Sequence, residues 1–553
     1  MQREIKRRAQ LYGIAAIILA LILGAICYNV GVQPPQKVEE SAAPTTTEPQ
    51  PQATRFLKTF QSYKELLNFL TENLKMESLP FFWDARIAAP DITQGAPMPA
   101  APEAAGEFKL SVEYSTTNVQ VAGVDEADIV KTDGEYIYFI ANNTILILKA
   151  YPPEEVNLLS KITFKENVYP AGIFVSSDGA KLAVIGVTYT FPWPIYRTMI
   201  YLPYLNTKTF VYVYDVSNKA NPVLERNFTI SGSYFGARMI GDYVYVVASQ
   251  PTYIIYDTVI LPKVYEDDEI KEIKPEQIYY CSNSTDDYYI FTTIAAINML
   301  EEHEEPNTLT VMMGGTSTLY ASTNNLYITF HASPDQTSIY RIRIEGGNLA
   351  FEAKGTVPGR ELNQFSMDEY DGYFRIATTT WHEGKTRNNI YVMDMSLNIV
   401  GSLTDIAPEE AIDSARFIGD RCYLATSVSR RDPFFVIDLK NPRAPEVLGY
   451  LKIPGFTSYL HPYDENHIIG IGKDEDNKVK VAIFDVSNIT SPVEIDNYVI
   501  LGEWSDTPVF TEHKAFLFSK DKELMAFPVT VFEGGMWQGA YIFTVTTSYG
   551  ISL

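Results

Sequence analysis

The sequence predicts an all-β fold: an eight-bladed, or alternatively seven-bladed, β-propeller, preceded by an N-terminal transmembrane helix and a short amphipathic helix. Three observations carry this prediction. First, from Ser111 onward helical periodicity gives way to short β-rich runs parted by Gly, Asn, Asp and Pro turns. Second, eight such runs recur: EYIYFIA from Glu135, KLAVIGVT from Lys181, DYVYVVAS from Asp242, NLYITFH from Asn325, YFRIATTT from Tyr373, RCYLATSV from Arg421, HIIGIGKD from His467 and KAFLFSKD from Lys514. Asp-Gly or Gly-Asp turns precede several of them, which is hairpin chemistry, because Asp and Gly tolerate φ > 0. Third, each run is followed by a second apolar run, and the best copies share a tail: YDVSNKANPVL (214–224), IDLKNPRAPEVLG (437–449) and FDVSNITSPVEI (484–495). In these tails Asp215, Asp438 and Asp485, and more loosely Asp394, suit an Asx-turn rather than catalysis, with a further strand beyond it. Residues 111–553 divided into eight units give about 55 residues each, close to the propeller repeats of about 40–50 once insertions are allowed for. Radial closure protects the sheet edges. The third unit, 231–311, is interrupted, and this keeps seven blades as the alternative.

Taken in order, residues 1–10 form a basic tail containing Arg3, Lys6, Arg7 and Arg8, and 11–30 a transmembrane signal-anchor. Its uncharged run, 11–28, approaches the roughly 20 residues needed to span a bilayer, and the positive-inside rule places the body outside the cell. The rival, a cleaved signal peptide, would have a shorter apolar run and a small-x-small exit, which Cys27-Tyr28-Asn29-Val30 does not offer. Residues 31–54 are a Pro/Thr-rich spacer. Residues 55–83 are a helical segment in which Phe56, Leu57, Phe60, Tyr63, Leu66, Leu67, Leu70 and Leu74 make one stripe, with Ser62 and Glu65 as a capping box. The stripe is expected to dock on the protein's own body. Residues 84–107 are an Ala/Pro-rich linker, and 108–553 the propeller, with insertions at 189–209 and 250–290. The last unit looks short of an outer strand. The alternating segment 108–121 is expected to supply it by pairing with Tyr541–Val545 or the strand just after.

The net charge of −24 repels phosphate backbones and argues against a nucleic-acid partner. Three cysteines cannot build a disulfide framework.

The stretch 114–134, YSTTNVQVAGVDEADIVKTDG, resembles the signature opening of the archaeal and bacterial secreted β-propeller family distantly related to WD40 repeats. ELMAFPV (523–529) with Gln538-Gly539-Ala540-Tyr541 resembles its closing blade, 60–70 is similar to its upstream helix, and the D-V-S-N tails resemble the LVIVD extracellular repeat. The resemblance covers residues 55–553 and implies fold and address without assigning an activity. Members are expected to continue past Leu553.

No GxSxG, HExxH, CxxC or Walker loop is present, so a non-catalytic protein without a cofactor is expected. The cluster Asp125, Glu126 and Asp128 is a candidate Ca²⁺ site, although its spacing does not match an EF-hand loop. The insertions fall between the second and third strands of their units and should gather on one face, which in repeat arrays is often the binding face. Their aromatics, Trp193, Tyr196, Tyr201, Tyr204, Tyr256, Tyr265, Trp381, Phe532 and Trp537, are candidate contacts for an extracellular protein or glycan, or else pack as a lid. Asn142, Asn227, Asn283 and Asn488 head N-x-S/T sequons. The expected function is a membrane-tethered extracellular binding module. The alternatives are a glycan-directed or quinone-cofactor-dependent enzyme, and a structural surface-layer component.

Overall fold

The hairpins follow from their turns. Asp371 and Gly372, at φ 50° and 75°, make the doubly left-handed turn that joins Met367–Tyr370 to Tyr373–His382. The Asx-turns also form as expected. Asp215 Oδ1 accepts from Ser217 N (2.8 Å), Asp394 Oδ1 from Ser396 N (2.9 Å), Asp438 Oδ1 from Lys440 N (2.9 Å) and Asp485 Oδ1 from Ser487 N (2.8 Å). Each of these turns leads into the outer strand of its sheet.

The computed structural model describes residues 57–73, 117–189, 207–267, 269–282, 289–333, 335–427 and 431–553. The basic tail, the apolar run 11–30, the spacer, the linker 84–107 and residues 190–206 lie outside them. Among the described residues no helix is long and apolar enough to cross a membrane.

The chain is an all-β propeller. Among the described residues eight radial sheets follow one another, spanning 130–163, 168–231, 233–313, 319–358, 367–406, 411–454, 456–499 and 504–552. Seven have a single innermost strand. In the eighth that position is split between Trp504–Asp506 and Leu517–Ser519, both paired with Leu524–Phe532. Apolar side chains fill the seven interfaces between consecutive sheets. Between the fourth and fifth, Tyr327 stacks on Phe374 with ring centroids 4.3 Å apart. A sheet between two neighbours buries both faces, so a strand such as Tyr243–Pro251 carries a continuous buried run rather than an alternating one.

Several expectations need correction. Seven of the eight recurrent runs are the second strands of their sheets, each preceded by the innermost one. The run from Lys514 is instead a 3₁₀ turn followed by Leu517–Ser519, and the long strands of the last sheet are Leu524–Phe532 and Met536–Thr546. The outer strand of that sheet is Gly550–Ser552, with Val545 opposite Ile551, so residues 117–121 do not fill this place. Residues 108–116 lie outside the described residues.

The helix α1 is Tyr63–Asn73 and begins at Ser62, whose Oγ accepts from Glu65 N (3.2 Å). Leu57–Thr59, expected to be helical, is a strand antiparallel to Ile278–Cys281, which itself runs parallel to Asn307–Met313 on the outer edge of the third sheet. Phe60, Leu66 and Leu70 are fully buried against Ile278, Tyr280 and Phe291, so the stripe docks on the body. The insertion after Pro251 does not simply project. Its hairpin Lys263–Glu266 and Glu269–Glu272 extends the second sheet outward by pairing with Val223–Ser231.

Candidate functional site

The opening signature runs onto the axis of the propeller, where the innermost strands converge. Asp125–Glu126 pairs antiparallel with Met239 and Arg238 of the third sheet, and Asp128 bridges Ile173 of the second. Gly172 is required there, because a Cβ on it would meet Ala127 Cβ at 2.8 Å. Asn118 Nδ2 donates to Tyr459 OH (2.8 Å) and His513 O (2.9 Å), of the seventh and eighth sheets. Gln120 Nε2 donates to Gln364 O (2.9 Å) and Met367 O (3.0 Å), at the entry to the fifth sheet. Gln120 O accepts from Arg416 Nη2 (3.3 Å) of the sixth. The segment is therefore an axial plug.

Glu126 is its hub. Its Oε1 accepts from Gln120 N (3.1 Å) and Gln364 Nε2 (3.1 Å), while Oε2 lies 3.7 Å from Arg238 Nη2 and 3.3 Å from His513 Nε2. Burial by itself raises the carboxyl pKa, but Arg238, His513 and the Gln120 N–H outweigh it and hold the group well below the usual carboxylate range. Burial, with Arg416 and His513 nearby, lowers the His461 imidazole to about 3. His461 Nδ1 lies 3.1 Å from Tyr459 OH.

The three acids proposed for Ca²⁺ go to separate partners. Asp125 Oδ1 accepts from Lys131 Nζ (2.6 Å), Glu126 is the axial hub, and Asp128 Oδ1 accepts from Ile129 N (2.7 Å). Among the described residues no group of three or more His, Cys, Asp or Glu side chains converges as a metal site. A cation already held by the protein does for Asp125 and Glu126 what Ca²⁺ was expected to do.

The candidate aromatics divide. Trp193, Tyr196, Tyr201 and Tyr204 lie outside the described residues. Tyr265 sits on the hairpin outside the second sheet, its ring under the Lys208 ammonium at 3.5 Å. Tyr256, 97% exposed at φ 48°, caps the small ribbon Ile254–Ile255/Thr258–Val259. Other insertion aromatics do pack as a lid: Tyr280 stacks on Phe60 at 4.2 Å, and Phe69 meets both Tyr280 and Tyr289 edge-on. Trp381, Phe532 and Trp537 lie beside second-to-third-strand turns of the fifth and eighth sheets and are exposed, with Met536 next to them. Gly539 underlies the Trp537 ring, where a Cβ would come within 2.4 Å of it, and Tyr541 meets the same ring edge-on at 5.7 Å. The indole is thus held in place while half exposed.

Of the sequons, Asn142 is exposed in the left-handed turn of the first sheet and Asn488 is exposed just after an Asx-turn. Asn227 lies within the half-buried strand Val223–Ser231, and Asn283 falls outside the described residues. Cys281 and Cys422 are both buried.

Sequence reasoning missed Arg238, Arg416, Gln364 and His513. It also missed Glu361, fully buried 2.9 Å from His331 Nε2. A signal for the two arginines was present: GARMIGD (236–242) and SARFIGD (414–420) repeat one pattern on two innermost strands.

With this geometry in place, residues 114–553 match the family model described as "Beta propeller domain". This chain belongs to that family. An uncharacterized protein of Methanocaldococcus jannaschii is 30% identical over 78% of this chain and 75% of its own length. An uncharacterized protein of Archaeoglobus fulgidus is 29% identical over 88% and 87%. A chain from a structural study of two prolyl endopeptidases aligns at 13% identity with a TM-score of 0.36, over 74% of this chain; this chain spans 55% of that one.

Proposed function

We propose that this beta-propeller protein is a non-catalytic binding module, held at the outer face of the membrane by residues 11–30 and presenting its second-to-third-strand rim to an envelope glycan or protein. The observation that carries this is Trp537, an indole half exposed yet fixed over Gly539 and against Tyr541. A ring fixed before binding loses little rotamer freedom on contact, and an amphipathic aromatic suits a wet interface. Phe532 and Met536 extend the same hairpin tip, and Trp381 stands on the corresponding end of the fifth sheet, because second-to-third turns of up-and-down sheets share one face.

The test is a glycan array run beside a pull-down from envelope extract, using wild type, Trp537→Ala and Gly539→Ala. The alanine at 539 displaces the ring without removing it. Both variants should lose at least about tenfold in affinity for the captured ligand, as expected for an aromatic hot spot worth about 2 kcal/mol. Unchanged capture by both variants would move the binding surface elsewhere, and turnover of an arrayed glycan would replace this function with an enzymatic one.

A further inference from the structure

We propose that Arg416 holds a small inorganic anion, of halide size, on the propeller axis. The case starts from the repeat. Arg238 and Arg416 occupy the same place in the run A-R-x-I-G-D, on the innermost strands of the third and sixth sheets. Arg238 is fully served: Glu126 lies 3.7 Å away, and its guanidinium donates to Ala237 O, Leu319 O and Gln364 Oε1. Arg416 is not. It is 7% exposed, Nη2 donates to Gln120 O, and the guanidinium lies over the Phe365 ring at 4.8 Å. Nη1 makes no hydrogen bond to the protein, and among the described residues no carboxylate comes within ion-pairing distance of Arg416.

A second buried group points the same way. Ser366 is fully buried with its Oγ likewise unbonded, and it belongs to the turn Gln364–Ser366 whose Phe365 stacks on Arg416. Three buried guanidiniums, Arg238, Arg375 and Arg416, share two carboxylates: Glu126 pairs with Arg238 and Asp368 with Arg375, and both attract Arg416 only from farther off, without an ion pair to it. A buried polar hydrogen can be satisfied by water, but a buried charge needs an opposite charge. A compact anion accepting from Nη1 and from the Ser366 hydroxyl supplies both. Such an ion would also fix the plug, because the same guanidinium holds Gln120 O.

Bromide is the probe for the test. Crystals of the wild-type protein grown or soaked in sodium bromide should give an anomalous peak within hydrogen-bonding reach of Arg416 Nη1. In solution, replacing sodium gluconate by sodium chloride at matched ionic strength should raise the wild-type melting temperature by about 2–4 °C. Arg416→Met should lose that increment. If this variant fails to fold, Ser366→Ala serves in its place and should reduce the increment. The lack of a bromide peak at Arg416, or a chloride increment undiminished in the variant that folds, would overturn the proposal.

Discussion

Glu126 and His461 set how the axis responds to acid. Both are buried, and both fold with their pKa below the unfolded value. A depressed pKa gives stability that is present above the unfolded pKa and lost as pH falls toward the folded one. For His461 the loss starts near 6.5 and continues to about 3, because the unfolded chain takes up a proton that the buried imidazole refuses. For Glu126 it starts near 4.5, as the unfolded carboxylate protonates while the paired one does not. Acid unfolding should therefore begin well above the carboxylate range. Urea denaturation of His461→Phe is expected to show a flatter stability between pH 6.5 and 4.5 than wild type. Glu126→Gln should cost about 3 kcal/mol at pH 7, because it leaves the Arg238 guanidinium buried without its partner, and should flatten the profile below pH 4.5. A Glu126→Gln protein as stable as wild type at neutral pH would show that the pair does not hold the axis together.

At the scale of elements, the outer edge of the third sheet is built from distant pieces: α1, Leu57–Thr59 and Ile278–Cys281. Phe60 pins them, fully buried and stacked on Tyr280. Phe60→Ala should cost about 3 kcal/mol locally. Native-state hydrogen exchange is the measurement: amides of 57–73 and 278–281 should lose protection, while Ile294 and Val246 in the interior of the same sheet keep theirs. Global loss of protection would mean that these pieces belong to the folding unit of the whole ring. Why some elements were legible in the sequence and others not follows from the range of their interactions. The tails at Asp215, Asp438 and Asp485 were readable because an Asx-turn is local, as were hairpins turned by Asp-Gly. Leu57–Thr59 read as helix because its apolar spacing continues the stripe of α1, and only a partner more than two hundred residues on makes it a strand. Asn118 and Gln120 read as part of an outer strand, and Glu126 as a candidate calcium ligand, because nothing nearby in sequence reveals the arginines and histidines they meet. Trp537 was picked out as an aromatic, but its fixed pose over Gly539 appears only once the ring is placed.

On the scale of the whole molecule, the expected address rests on residues 11–30 and can be checked directly. Protease added to intact cells should remove the body and leave a short membrane-bound stub. Release of the whole body by cleavage near residue 30 would instead indicate a processed signal. In a glycosylating host, Asn142 and Asn488 are the sequons expected to carry sugar, being exposed in turns, with Asn227 held within its strand.

The plug imposes an order on biogenesis. Asn118 bonds to the carbonyl of His513, 395 positions later, and to Tyr459, 341 positions later. When residues 118–126 leave the ribosome, the sheets that will hold them have not yet been made. The sheets can pack pairwise as they appear, but their inner edges have nothing to close on until the last one arrives with His513. Contacts of such long separation slow folding and expose intermediates. An elongating chain would thus carry an open arc of sheets with apolar flanks, needing shelter until its final hundred residues emerge, and the slow phase of refolding in vitro should be the capture of residues 118–126 rather than the formation of any single sheet.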